Sequence, residues 1–480
     1  MKKIFVPVLA SLFLFSISVK AQQPAAAPAK PYKYVIKGGH VIDPKNNIDE
    51  VMDIAIDNGW TPSMEARDAQ PARPGTNGRP DRPAEPARPA VKGTEGHIAL
   101  VAKNIDPDLA VQVIDATGLY VTPGIVDIHT HNFWGTNMGG INYKDGPNGI
   151  QPDGFTLRTG VTTVVDAGSS GWRDFEKFKR QTIDVSKTRV LAFLNIIGTG
   201  MDGKGENNEA EIDAQKTGEM GLKYPDIIVG VKNAHYGNGN TGKPDGNLVP
   251  IREGIKAAGI MDGIFMLDGQ LSEKTMELFR PGDIFTHIYG RDLMNEDGTV
   301  KDFVLAAREK GVIFDVGFGG SSFTFRRATP AFKAGFLPNS ISSDQHINSM
   351  NTAMKDMQNI MGLFMAMGMP LQDVVAASTW EPAQEIKRPE LGHLSEGAVA
   401  DIAIFEVRDG KFGFWGNDGY VDGTKRIVNE ITIRGGNVEY NLNGRIKPIN
   451  LPQPPRRAHS DVDEEHRPAL ARVPVAAQQL

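Results

Sequence analysis

Between residues 122 and 394 the chain alternates two kinds of segment. Continuous apolar, β-type runs occupy residues 125–131, 161–167, 190–197, 227–232, 264–268, 284–288, 312–316 and 340–344. Stretches with helical spacing lie between most of them, at 173–184, 272–280, 300–310 and 350–369. A strand that is apolar throughout, with no alternation, is covered on both faces, as in a parallel sheet wrapped by helices. Eight such βα units over this length predict an α/β fold, a (β/α)8 TIM barrel. The flanks read differently. Residues 34–57, 97–120 and 401–438 hold short alternating strands broken by Gly and Asn turns, the pattern of half-buried strands. The two chain ends are therefore expected to pair as a small β-sandwich beside the barrel, from 34–121 and 395–451, with the barrel at 122–394.

Three segments stand apart from this body. Lys2 and Lys3 precede an apolar run over residues 4–19, and Val19-Lys20-Ala21 offers small or apolar residues at the cleavage positions. That is the pattern of a secretory signal peptide over 1–21, followed by an Ala/Pro linker at 22–33. The expected product is exported, periplasmic or secreted, after cleavage near Ala21. Residues 61–96 carry seven prolines and almost no large apolar residue. Alternating runs lie on either side, Val51-Met-Asp-Ile-Ala-Ile before and His97-Ile-Ala-Leu-Val-Ala after. This reads as a hairpin whose turn has been replaced by a disordered insertion. The tail at 452–480 has the same composition and reads the same way.

The chain has no cysteine, which removes disulfides, a lipid-modified anchor, thiolate ligands and a thiol nucleophile. Any metal is then held by nitrogen and oxygen, which suits zinc, manganese or iron. A net charge of −6 with no long basic run argues against nucleic-acid or anionic-membrane partners. No apolar stretch of spanning length follows the leader.

Barrel enzymes place their chemistry at the C-terminal ends of the strands. Those ends read His129 and His131 on the first strand, Lys232 on the fourth, Asp268 on the fifth, His287 on the sixth and Asp344 on the eighth. In His129-Thr130-His131 the two imidazoles are at i and i+2, on one side of a strand, and form half of a metal site. His-x-His alone is weak; six metal-competent residues at strand ends are not what packing alone produces. A lysine cation repels metal, but the neutral amine of Lys232 reacts with carbon dioxide to give a carbamate, an anion able to bridge two cations. The alternative is a plain lysine paired with Asp268 or Asp344. The histidines around it favour the carbamate.

These motifs carry a resemblance. Val121-Thr-Pro-Gly-Ile-Val-Asp-Ile-His-Thr-His, Val229-Gly-Val-Lys-Asn-Ala-His-Tyr, Arg280-Pro-Gly-Asp-Ile-Phe-Thr-His, Ser340-Ile-Ser-Ser-Asp-Gln-His and Gly397-Ala-Val-Ala-Asp-Ile-Ala resemble the amidohydrolase superfamily. Within it they are most similar to the dihydroorotase-like amidohydrolase/deacetylase branch. The resemblance implies two divalent metal ions, zinc being the expected species. His129, His131 and Asp344 would hold the more buried ion, carboxylated Lys232 would bridge, and His287 would hold the more exposed one. It implies a metal-bridging hydroxide, with Asp344 as general acid and base. The chain departs from the pattern twice. Asp268 stands where strand five commonly supplies histidine, so altered affinity is expected for the second ion. Phe318 stands where a strand-seven histidine is frequent.

Weaker candidates lie in the loops. His235, Tyr236 and Tyr289 follow ligand positions and are read as substrate contacts, while Asn195 and His346 read rather as loop hydrogen bonds. The glycine-rich run at 317–322 reads as a flexible loop, with an anion cradle as the alternative. Met350, Met354, Met357, Met361 and Met365 recur at helical spacing and read as core. The expected function is an exported hydrolase of amides or esters that removes an N-acyl or O-acyl group from a small molecule. A cyclic amide or dipeptide hydrolase is the alternative within enzymes, and a catalytically silent scaffold the alternative outside them. A small-molecule substrate is the expected partner, and a homo-oligomer is compatible with the sequence.

Overall fold

A computed structural model describes residues 30–63, 93–136, 142–203, 208–234 and 247–446, with a few isolated positions between 63 and 93. The leader, most of the linker and of the 61–96 insertion, and the tail lie outside the described residues.

Five strands precede the barrel: β1 (Tyr32–Asp43), β2 (Ile48–Asp57), β3 (Ile98–Ala102), β4 (Ala110–Asp115) and β5 (Tyr120–Pro123). Seven parallel strands follow: β6 (Ile125–Thr130), β7 (Val161–Gly171), β8 (Arg189–Asn195), β9 (Ile228–Ala234), β10 (Ile264–Asp268), β11 (Ile284–Phe285) and β12 (Ile313–Phe314). They are hydrogen bonded in chain order. Helices Phe175–Gln181, Ala214–Lys223, Val249–Ile260, Glu273–Leu278, Asp302–Lys310 and Phe325–Lys333 alternate with them from β7 onward. Every residue of β6, β7, β9 and β10 is buried, which accounts for the absence of apolar/polar alternation along them.

The expected eighth strand is less regular than its sequence suggests. Within residues 340–345, Ser340 bridges Asp315, the residue just after β12, and Gln345 bridges Thr130 at the end of β6. The bonds Val316 N to Ser340 O (3.1 Å), Phe318 N to Ser342 O (3.1 Å) and His131 N to Gln345 O (2.9 Å) close the ring. No continuous ladder forms, because Asp344 has a left-handed backbone (φ 52°) that turns it out of the strand. The expected helix at 350–369 is also divided. Ile347–Met350 is one short helix and Met357–Ala366 another, the second capped by Asp356, which accepts from Asn359 N at 2.7 Å. The methionines at 354, 357 and 361 are buried in the core, as their spacing implies.

Three more strands, β13 (Ile402–Gly416), β14 (Gly419–Arg434) and β15 (Asn437–Asn441), complete an eight-stranded sheet built from both chain ends. The ends meet where β5 pairs antiparallel with β13, Val121 opposite Ile404. An apolar cluster of its own, including Ile36, Ile54, Val121, Ile404 and Ile431, fills this small domain. β2 and β3 pair as the expected hairpin, and the ribbon extends to Thr61, whose amide donates to Thr94 O (3.0 Å). Arg189, at the base of β8, ties the two parts together by pairing with Asp401 and with Glu95 (3.1 Å).

Candidate metal centre

The barrel brings all six strand-end residues to one end of the ring. His131 Nε2 lies 3.0 Å and His129 Nε2 3.6 Å from Asp344 Oδ1. Lys232 Nζ is 3.1 Å from His129 Nε2. The His287 ring packs 4.9 Å from that of His129, and its Nε2 is 3.5 Å from Asp268 Oδ2. All six side chains are buried.

The outward nitrogen of each histidine is occupied, and this frees the inward one. His129 Nδ1 bonds Thr286 Oγ1 (3.0 Å), His131 Nδ1 bonds Ser169 Oγ (3.0 Å) and His287 Nδ1 donates to Gly317 O (2.5 Å). Buried carboxylates stand behind them. Thr286 Oγ1 donates to Asp315 Oδ2 (2.7 Å), and Ser169 N donates to Asp166 Oδ1 (2.8 Å). Asp127 receives the amides of Ser343 (3.0 Å) and His129 (3.3 Å), fixing the eighth segment to the first strand. The glycine at 317 is required here. With φ +47°, a Cβ would come within 2.3 Å of Thr286 Oγ1 and 2.7 Å of His287 Nδ1.

Charge follows from this burial. Burial pushes the His129 imidazole down to about 3, helped by the neighbouring Lys232, while Asp344 and Asp315 pull the other way. Burial also lowers Lys232, and the pull of Asp268, Asp344, Asp315 and Asp166 only partly offsets it. For Asp344 burial would raise the carboxyl, but the imidazoles of His129, His131, His346 and His287 outweigh it and hold the group well below the ordinary range.

His129, His131 and Asp344 each direct one ligand atom to a common point, the three atoms lying within 4.8 Å of one another. A tetrahedral ion with bonds of ~2.0–2.2 Å separates its ligands by about 3.3 Å, a value the observed 3.0 and 3.6 Å bracket. The donors are nitrogen and oxygen with lone pairs facing inward, so the residues fit a divalent ion such as zinc. Asp268 and His287 make a second pair of donors. One Asp268 oxygen is already engaged, accepting from Arg291 Nη2 at 2.7 Å.

The loop residues need revision. Tyr289 is not a substrate contact: the short turn Ile288–Gly290 directs it into a cluster with Phe323, Phe332 and Phe364, and its hydroxyl donates to Phe336 O (3.3 Å). His235 and Tyr236 lie outside the described residues. Asn195 makes structural bonds, to Gly168 O and from Ile197 N. His346 caps the helix after it, accepting from Ser349 N (3.3 Å), and its Nε2 also approaches Asp344 Oδ2 to 3.9 Å. Phe318 stacks on Phe323 with centroids 4.6 Å apart. The 317–319 amides are used by Ser342 and Ser343, so that stretch is neither an anion cradle nor a loose loop. Tyr143 escaped the sequence reading; its ring lies 4.6 Å from that of His131 and 5.0 Å from that of His346. So did Asp127, Asp166 and Asp315, although an aspartate inside an otherwise apolar strand is a legible signal.

No family model matches the chain. A deacetylase of Brucella anthropi is 32% identical over 351 residues, covering 70% of this chain and 83% of that protein. A deacetylase of Enterococcus faecalis is 28% identical over 357 residues, 72% of this chain and 93% of that one. Among solved structures, an adenine deaminase superposes with a TM-score of 0.69 at 24% identity, covering 85% of this chain and all of the other (100%). A dihydroorotase gives a TM-score of 0.63 at 24% identity, over 84% and 97% of the two chains. These structural likenesses establish the barrel with its flanking sheet.

Proposed function

Because the chain belongs to the amidohydrolase/deacetylase branch of the amidohydrolase superfamily, and is a hydrolase of carbon–nitrogen bonds other than peptide bonds, we propose that it is an exported metal-dependent deacylase. It removes an N-acyl or O-acyl group from a small molecule. The observation that carries this is the convergence of His129, His131 and Asp344 on one buried point beside Lys232, in a relative of deacetylases. A silent scaffold would have no use for a complete donor set at that depth.

His129, His131 and Asp344 would hold one divalent ion and His287, with Asp268, a second. Ions bound there acidify a water and polarise the scissile carbonyl. The chain's own groups do the rest. Burial favours the neutral Lys232 amine, the form that adds carbon dioxide: the amine nitrogen bonds the carbon, one N–H proton leaves to solvent, and an anionic carbamate remains. Asp344 is held ionised and its side chain is more open than that of His129, 12% against 1%. It is the group placed to take a proton from the attacking water and return it to the leaving nitrogen or oxygen. Tyr143 and His346 form an aromatic wall beside Asp344.

The test is metal content per chain on residues 22–480 prepared with zinc and bicarbonate, followed by a screen of N-acyl and O-acyl compounds. About two equivalents and turnover of an acylated compound are expected. One equivalent with deamination, or cyclic amides turned over in preference, would redirect the assignment. No bound metal would make the scaffold reading the better one.

A further inference from the structure

We propose that Thr286 and Asp315 are positioning residues for the centre: together they fix His129 with its proton on Nδ1 and its Nε2 lone pair toward Asp344, and so set how tightly the site holds metal. This rests on the metallohydrolase reading above.

The hydrogen bonds leave one arrangement. Asp315 accepts from Ser340 Oγ (2.9 Å) and, at its other oxygen, from Ser342 Oγ (2.7 Å) and Thr286 Oγ1 (2.7 Å). Ser342 Oγ is itself taken as acceptor by Gly317 N at 2.9 Å, so its single proton goes to Asp315. A carboxylate surrounded by hydroxyl donors has nothing to donate. The Thr286 proton therefore points at Asp315, and a Thr286 lone pair faces His129 Nδ1 at 3.0 Å. Only an N–H can meet it. His129 Nδ1 is 3.9 Å from Asp315 Oδ2, too far for a direct bond, so the threonine hydroxyl is the necessary intermediate. Carboxylates that orient ligand histidines directly are a recurrent device; here a hydroxyl is inserted. Gly317, which could carry no Cβ beside Thr286, lets the seventh strand close over the relay.

The experiment is cobalt(II) titration of the metal-free protein against a competing chelator, with the visible spectrum of the bound ion, for wild type, Thr286→Val and Thr286→Ser. Thr286→Val keeps the shape and removes the hydroxyl. It is expected to bind cobalt about 10–100-fold more weakly with a shifted spectrum, and Thr286→Ser to return both to within about threefold of wild type. A Thr286→Val protein with wild-type affinity and spectrum, beside a wild type that binds cobalt, overturns the relay alone. A wild type that takes up no cobalt overturns the metallohydrolase reading along with it. Should Thr286→Val not fold, nitrogen-15 histidine NMR of the metal-free wild type decides. With His129 assigned by loss of its signals in His129→Gln, the Nδ1-protonated tautomer supports the relay and the Nε2-protonated one overturns it.

Discussion

Replacing Gly317 by alanine isolates how much of the centre depends on one missing methyl group. The added Cβ would sit 2.3 Å from Thr286 Oγ1, 2.7 Å from His287 Nδ1 and 3.1 Å from His129 Nδ1. To restore even a 3.0 Å separation, the threonine must retreat by the difference of 3.0 and 2.3, at least ~0.7 Å, in a core packed like a crystal. The φ of +47° costs an alanine roughly 1–2 kcal/mol on its own. Overpacking adds about 1–3 kcal/mol. A displacement of ~1 Å in groups that position a reaction costs about 100-fold in rate, so activity should suffer far more than stability. Gly335→Ala is the control. Its φ is +75° but nothing lies within 4 Å of the new Cβ, so it shares the backbone cost without the contact. Both variants should lose melting temperature, while only Gly317→Ala should lose bound zinc and about 100-fold in kcat/KM on an acyl substrate from the screen. Wild-type metal content in Gly317→Ala, or equal losses in the two variants, would refute the reasoning.

Three further outcomes follow from the same geometry. Asp344→Asn removes the group placed to move the proton, and should nearly abolish turnover while circular dichroism and melting stay close to wild type. Lys232→Ala should cost the second equivalent of metal, and wild-type activity regenerated from metal-free protein should depend on added bicarbonate where the variant's does not. Arg291 holds one oxygen of Asp268 at 2.7 Å and places a positive charge next to the outer donors. Arg291→Met should therefore strengthen binding of the second ion several-fold in a zinc titration, and unchanged or weaker binding would argue against Asp268 as a ligand.

The positions of the candidate ligands were legible because a barrel writes its strand ends into sequence at regular intervals: each strand ends at the same face, so a residue's place in the run fixes its place in space. That logic located His129, His131, Lys232, Asp268, His287 and Asp344 at the same end of the barrel. It failed where the backbone leaves the ladder. β11 is only Ile284–Phe285 and His287 has φ 59°, so Tyr289 no longer lies where a regular strand and loop would put it, and it turns into the aromatic core. The glycines after β12 looked like looseness but answer a close approach. The relay was illegible for another reason. Thr286 and His129 are 157 positions apart, and nothing in the local sequence around a threonine says that its hydroxyl will stand between an imidazole and a carboxylate.

The buried carboxylates beneath the centre make a last distinction testable, because their environments act in opposite senses. Burial pushes Asp127 up to about 7, against hydrogen bonds from Ser343 and His129 that lower it. Its native form thus holds a proton more tightly than the unfolded chain does. That contribution to stability is present below about pH 4 and is lost as pH rises through 7, by up to ~1.4 kcal/mol for each pH unit crossed. Asparagine stays neutral and keeps the geometry: its carbonyl can accept both amides, and Ser343 Oγ can turn to His129 O at 3.5 Å. Asp315 is the reverse. Burial would raise it, yet the nearby His129 imidazole and the bonds from Thr286 and Ser342 hold it below its ordinary value. Its contribution is present above about pH 4 and is lost as pH falls through the lowered value. In urea unfolding of the metal-free protein, Asp127→Asn should gain on wild type between pH 5 and pH 8, and Asp315→Asn should be weaker than wild type at pH 8. A difference from wild type for Asp127→Asn that does not change with pH would show that Asp127 is ionised without penalty. The acid between the two strands would then be held as firmly as the one behind His129.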